Sequence, residues 1–283
     1  MTLERGDWEE PACCFTLGPR GEEVRLEEGK HKASQVIEEL DRLLGMDKTQ
    51  EAAACLEARL LEAETAGDWA LQVTILNEMM GLYRSAGERE KGLWSVKKGL
   101  ALLGEHGLTQ TVSGGTTYMN AATTMKAFGK AREAIPCYEH AFRVYGRNLS
   151  PGDYRFGSLF NNMALAYEDE GDYKRAEAYY KRALAIMEGL RPGSILELAL
   201  TWINLAVLYE KWGQEEEIDR CLAQAAEGFH SNEVAHDAYY AFNCRKSAAT
   251  FGHFGYFRLD RELTEEAERI YAAARRESGK YEG

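Results

Sequence analysis

Proline is scarce in this chain, five residues in 283, so long helices can run without the breaks that its missing N–H imposes. Positive charge is also short. Lys plus Arg number 34 against 46 Asp plus Glu, a formal net charge of −12. That balance argues against a protein that grips phosphate backbones, which needs an electropositive face, so no nucleic acid partner is expected. No stretch reaches the about 18 uninterrupted apolar residues that a membrane span requires. The first ten residues, Met1 to Glu10, are acidic and lack the cationic start and apolar run of a secretory signal. Together these predict a cytoplasmic chain with no membrane partner. The six cysteines, at 13, 14, 55, 137, 221 and 244, follow no metal or redox spacing and read as free thiols of a reducing compartment, the adjacent Cys13-Cys14 included.

What the chain does have is a period. Gly45, Gly87, Gly129, Gly171, Gly213 and Gly255 stand 42 residues apart. Four residues before each lies Asp41, Tyr83, Met125, Tyr167, Tyr209 or Phe251, mostly large and aromatic. Seven before lies Glu38, Met80, Ala122, Ala164, Ala206 or Ala248, small in the last four. A fixed step of this length marks a stack of repeated supersecondary units. Phasing on the glycine divides the chain into units 31–72, 73–114, 115–156, 157–198, 199–240 and 241–282, behind a non-repeat segment 1–30. Within that segment Cys14–Leu17 and Glu22–Leu26 could pair as two short strands about Gly18-Pro19-Arg20-Gly21, either mobile or docked onto the repeats through Trp8 and Phe15.

Each unit reads as two helices. Phe160, Met163, Ala164 and Tyr167 recur at the i, i+3, i+4, i+7 spacing of one helical face. Gly171-Asp172 then supplies a residue for positive φ followed by an N-cap. Tyr173, Ala176, Tyr180, Ala183 and Leu184 form the stripe of the second helix. A turn this short makes the helices antiparallel neighbours, and one hairpin cannot bury both its faces, so units must stack. In the first unit Gly67-Asp68-Trp69 offers a competing turn, and in the last Asp260 stands where the second helix should carry a small residue.

The run Asn161-Asn162-Met163-Ala164-Leu165-Ala166-Tyr167, with Gly171, Ala176, Tyr180 and Ala183-Leu184, resembles the tetratricopeptide repeat in its 42-residue, kinesin-light-chain form. Asn204-Leu205-Ala206, Tyr209, Gly213 and Ala225 repeat the pattern, as do Asn120-Ala121-Ala122, Gly129, Ala134, Pro136 and Tyr138. The resemblance spans 31–282 and is weakest in the end units. It implies an all-α fold, a right-handed superhelical solenoid of about six antiparallel helix pairs. It further implies a non-catalytic interaction scaffold whose first helices line a concave groove for a linear peptide or a partner's helix.

The residues of that groove can be read by column. Val36, Glu78, Asn120, Asn162, Asn204 and Lys246 share one column, and Asn77 and Asn161 lie one position earlier. A ladder of amides, each both donor and acceptor, can hold an extended backbone with little regard to its side chains. The same amides could instead tie adjacent helix pairs to one another, and the two roles are compatible. By the resemblance, Asn77, Asn120, Asn161, Asn162 and Asn204 are the expected peptide contacts. Near the ends of the same helices the charge runs from Arg42, Arg84 and Lys126 to Glu168 and Glu210, and Arg84 and Lys126 are the expected grips for a carboxylate. Two other functions stay open: a bacterial peptide-sensing regulator of the same repeat type, and a hydrolase built on His230, His236 and His253. The spacing of these histidines matches no metal or nucleophile motif, so no catalytic residue, metal or cofactor is expected. Self-association is left open. The aromatic group Tyr239, Tyr240, Phe242, Phe251, Phe254, Tyr256 and Phe257 reads as core of the last unit.

Overall fold

The computed structural model describes residues 27–46 and 48–278. The expected N-terminal hairpin, with Cys13-Cys14, Trp8 and Phe15, lies outside the described residues. The described residues form twelve α-helices and one short 3-10 turn, with no strand among them. They divide into two compact units, residues 27–151 and 152–278.

The first unit holds α1 (Glu27–Gly45), α2 (Thr49–Thr65), α3 (Trp69–Ser85), α4 (Arg89–Glu105), α5 (Val112–Ala127) and α6 (Ala131–Asn148). Successive helices pack on one another, and α3 also touches α1 and α5. The second unit holds α7 (Tyr154–Asp169), α8 (Tyr173–Glu188), α9 (Ile195–Trp212), α10 (Ile218–Phe229), α11 (Ala238–His253) and α12 (Phe257–Ser278). Here α9 packs on α7, α8, α10 and α11, and α11 on α12. In both units first helices meet first helices and each is backed by its own second helix, the arrangement the repeat predicts.

The glycine ladder works through its backbone. Gly87, Gly129, Gly171, Gly213 and Gly255 take φ between 72° and 86°, where a Cβ is disfavoured. At each, the aromatic or methionine four positions earlier gives its carbonyl to the amide one position after the glycine. Tyr167 O accepts from Asp172 N at 2.9 Å, and Tyr209 O from Gln214 N at 2.8 Å. That six-to-one bond closes the helix, and the following residue opens the next. Asp172 completes the hand-over by accepting from Arg175 N at 3.1 Å.

The Gly67-Asp68 turn uses the same device between α2 and α3. Gly67 has φ 66°, Asp68 N bonds Ala63 O at 2.9 Å, and the Asp68 carboxylate accepts from Leu71 N at 3.0 Å. It links two pairs rather than competing with the turn inside the first. The core follows the columns. Ala122, Ala164, Ala206 and Ala248 are at most 2% exposed, and Tyr83, Tyr167, Tyr209 and Phe251 are buried beside them. Asp260 also finds its room: it faces Gly252 of α11, where a Cβ would stand 2.5 Å from its carboxylate. The small residue sits on the opposite helix.

Candidate interaction site

The site residues expected from the sequence all lie on first helices: Asn77 and Arg84 on α3, Asn120 and Lys126 on α5, Asn161 and Asn162 on α7, Asn204 on α9. The structure joins their amides in pairs within each compact unit. In residues 27–151, Asn120 Nδ2 donates to Asn77 Oδ1 at 2.9 Å. Asn77 in turn donates to Val73 O and to Thr117 Oγ1 of α5, both at 2.9 Å. In residues 152–278, Asn204 Nδ2 donates to Asn161 Oδ1 at 3.1 Å. Both bridges link residues 43 apart, a column residue to the position before the column in the preceding pair.

Their burial differs. Asn77 and Asn204 are half-buried, whereas Asn120 and Asn161 are 5% and 6% exposed and Asn162 is fully buried. The Asn120 oxygen accepts no hydrogen bond in its buried position. Asn204 bonds through its nitrogen, and its oxygen has no partner among the described residues. The tying of helix pairs by amides is therefore what the geometry displays, with an unused oxygen left on the half-buried Asn204 in one unit and on the buried Asn120 in the other.

The charges behave as a set of internal ties. Lys126 is buried at 3% exposure, and Arg84 is half-buried. Glu168, also buried, accepts from Tyr180 Oη at 3.0 Å and from Lys211 Nζ at 2.5 Å. Burial holds the Glu168 carboxyl above the ordinary range in spite of the opposing pull of Lys211 and Tyr180. At Glu197, in the first turn of α9, burial again raises the carboxyl.

The three histidines do not assemble. His230 bonds Glu262 at 3.0 Å, His236 bonds Glu266 at 2.9 Å, and His253 bonds Glu210 at 2.7 Å, a separate glutamate for each. No group of three His, Cys, Asp or Glu side chains among the described residues is placed to hold a metal. The first two pairs tie the loop after α10 to α12. The aromatic group divides: Tyr240 and Phe251 are buried, while Phe242 and Phe257 are 39% and 70% exposed.

Sequence reasoning allowed for amides tying adjacent pairs but not for which asparagines bond which. The signal was present as the offset between columns, because Asn77 and Asn161 each precede by 43 residues the asparagine that bonds them.

Residues 155–229 match the family model of the tetratricopeptide repeat. No curated protein sequence matches the chain. Among solved structures, BtubC (BKLC) from P. vanneervenii is similar over 73% of this chain and 91% of its own, at 23% identity and TM-score 0.53. A kinesin-light-chain-like protein of Podosopora anserina with nearly identical TPR-like repeats covers 71% of this chain and 95% of its own, at 17% identity and TM-score 0.52. PilW, a widely conserved type IV pilus biogenesis factor, covers 88% and 96%, at 14% identity and TM-score 0.55. At such identities the likeness speaks for the fold. No described helix is long and apolar enough to cross a membrane. Residues 155–229 thus match the tetratricopeptide repeat, and the described helix pairs share the all-α fold of these solved structures.

Proposed function

We propose that this protein is a non-catalytic interaction scaffold in which the face of the first helices receives a linear peptide or a helix of a partner protein. The fold is one that generally serves protein–protein interaction, and function must then be argued from the site. The observation that carries the reading is the pair Asn161 and Asn204. The bridge between them fixes the orientation of the Asn204 amide, and its unused oxygen stands half-exposed on the first-helix face. An acceptor already held in place loses little freedom when a peptide N–H arrives. In residues 27–151 the half-buried Asn77 is the counterpart of Asn161, with its oxygen taken by Asn120 and its nitrogen by Val73 and Thr117. Asn162 and Lys126 are buried, at 0% and 3% exposure.

Linear peptides selected from a display library against the full chain provide the test. Selected peptides should bind the wild type and lose about tenfold or more in affinity to Asn204→Ala, a loss of about 1.4 kcal/mol. Helical circular dichroism should be retained. Equal affinity for the Asn204→Ala variant, or peptides whose binding depends only on second-helix side chains, would remove this face from consideration.

A further inference from the structure

The second helices carry a surface of their own. Between α2 and α4 lies a cleft of about 580 Å³, within the range of ligand-binding cavities. Leu60 and Leu61 of α2, Met79 and Tyr83 of α3 and Trp94 of α4 line it. Leu61 is 64% exposed and Trp94 47% exposed, two of the large apolar side chains that the described surface leaves open to water. Two large apolar groups thus face one trough and offer it apolar contact area.

Both ends of the trough are closed by ion pairs across the helices. At one end Lys91 Nζ donates to Glu57 Oε1 at 2.8 Å, and the Tyr83 hydroxyl donates to the same oxygen at 2.8 Å. At the other Lys98 pairs with Glu64, and its ammonium stands 4.9 Å from the centre of the Trp94 ring. Lys91 and Lys98 are seven residues apart on one helix, so the open stretch is about 10.5 Å long. That is two helical turns, the span of apolar side chains from i through i+3 or i+4 to i+7 on a partner helix. The rim charges also select. Both lysines are neutralised by their own glutamates, whereas Glu90, exposed on the same rim, has no ion pair or hydrogen bond among the described residues. The net charge of the whole chain, −12, steers cations toward it and acidic partners away.

We propose that the α2–α4 cleft is a second docking site, which seats the apolar side chains of a basic amphipathic helix from a partner protein, with Glu90 facing that helix's cation.

A dye-labelled, 18-residue helical probe of Leu, Lys and Ala, with leucines at i, i+3, i+4 and i+7, tests this in anisotropy titrations against the full chain. The probe should bind. Trp94→Ala and Leu61→Ser should each weaken it at least tenfold and Glu90→Gln about threefold, while Asn204→Ala leaves it unchanged. Replacing the probe's lysines by glutamates should cost at least tenfold. Circular dichroism checks that the variants remain folded, which their exposed positions favour. Equal affinity for wild type and Trp94→Ala would overturn the proposal, since binding would then be general attraction to an acidic surface. So would a dimer in sedimentation that Trp94→Ala abolishes, because a second copy would be the occupant. Probe binding that tightens tenfold on Trp8→Ala with Phe15→Ala would likewise overturn it, in favour of the chain's own N-terminal segment.

Discussion

The bridge between Asn161 and Asn204 makes an asymmetric prediction about stability. Asn161 is 6% exposed and accepts from Asn204, which is half-buried. Asn204→Ala removes the donor and leaves the Asn161 oxygen buried without a partner, which costs about 1–3 kcal/mol. Asn161→Ala removes the acceptor, but the orphaned Asn204 amide can turn to water. Only the net worth of one hydrogen bond is then lost, about 0.5–1.5 kcal/mol. The double variant has no orphan, so it should be more stable than the sum of the two single losses implies, by about 1 kcal/mol. With a urea dependence of about 2 kcal/mol per molar, a 2 kcal/mol loss moves the unfolding midpoint by about 1 M, well within measurement. Urea titrations of the wild type, both single variants and the double variant supply the cycle. Losses that add to within about 0.3 kcal/mol would refute the bridge, because contact residues couple and distant ones do not. Equal losses for the two single variants would refute the assigned burial asymmetry.

Three further outcomes follow from the packing and the buried charges. Gly171→Ala, at φ 76° with open space around its Cα, should cost about 1–2 kcal/mol of backbone strain alone, read as a lower thermal midpoint with unchanged helical content. Gly228→Ala should cost a comparable 1–3 kcal/mol for the opposite reason: its Cβ would stand 2.7 Å from that of Ala199 and 3.2 Å from the Ile195 carbonyl, which overpacks α9 on α10. Glu168, whose carboxyl burial raises above its ordinary 4.5, favours the folded state when protonated, and that contribution is lost as pH rises from 4.5 through the higher folded value. Glu168→Gln should therefore gain stability relative to wild type as pH rises through that window in urea titrations, and a gap independent of pH would contradict the assignment.

The hairpin turns were legible because a positive φ at a fixed place admits almost nothing but glycine, so the backbone wrote itself into the sequence at Gly87 through Gly255. The outer limits of the pairs were less legible. They are set by the residues Asp68, Thr111, Asp153, Ser194 and Asp237 that precede each first helix, and these fall 43, 42, 41 and 43 apart rather than in strict step. A division at 73 or 115 therefore cuts into the opening turns of α3 and α5, and α1 begins at Glu27, ahead of residue 31. Asp260 looked like a departure because the compensation, Gly252, sits on the neighbouring helix and no pattern within α12 reveals it. For the candidate site, the column of asparagines was visible as a ladder. Its hydrogen-bond partners were not, since bonds between residues 43 apart depend on how two helix pairs are offset. Depth was hidden for the same reason: Asn162 and Asn204 share a column, yet one is fully buried and the other half-exposed.

The role of the first-helix face is tested most directly by site-specific photo-crosslinking in native lysate. A photo-reactive residue is placed either at Val207, one turn beyond Asn204 on α9, or at the exposed Gln224 on α10 of the same helix pair. The account predicts a discrete adduct from position 207, competed away by the selected peptide, and none from position 224. Adducts from 224 alone, or an adduct at 207 that the peptide fails to compete, would contradict it.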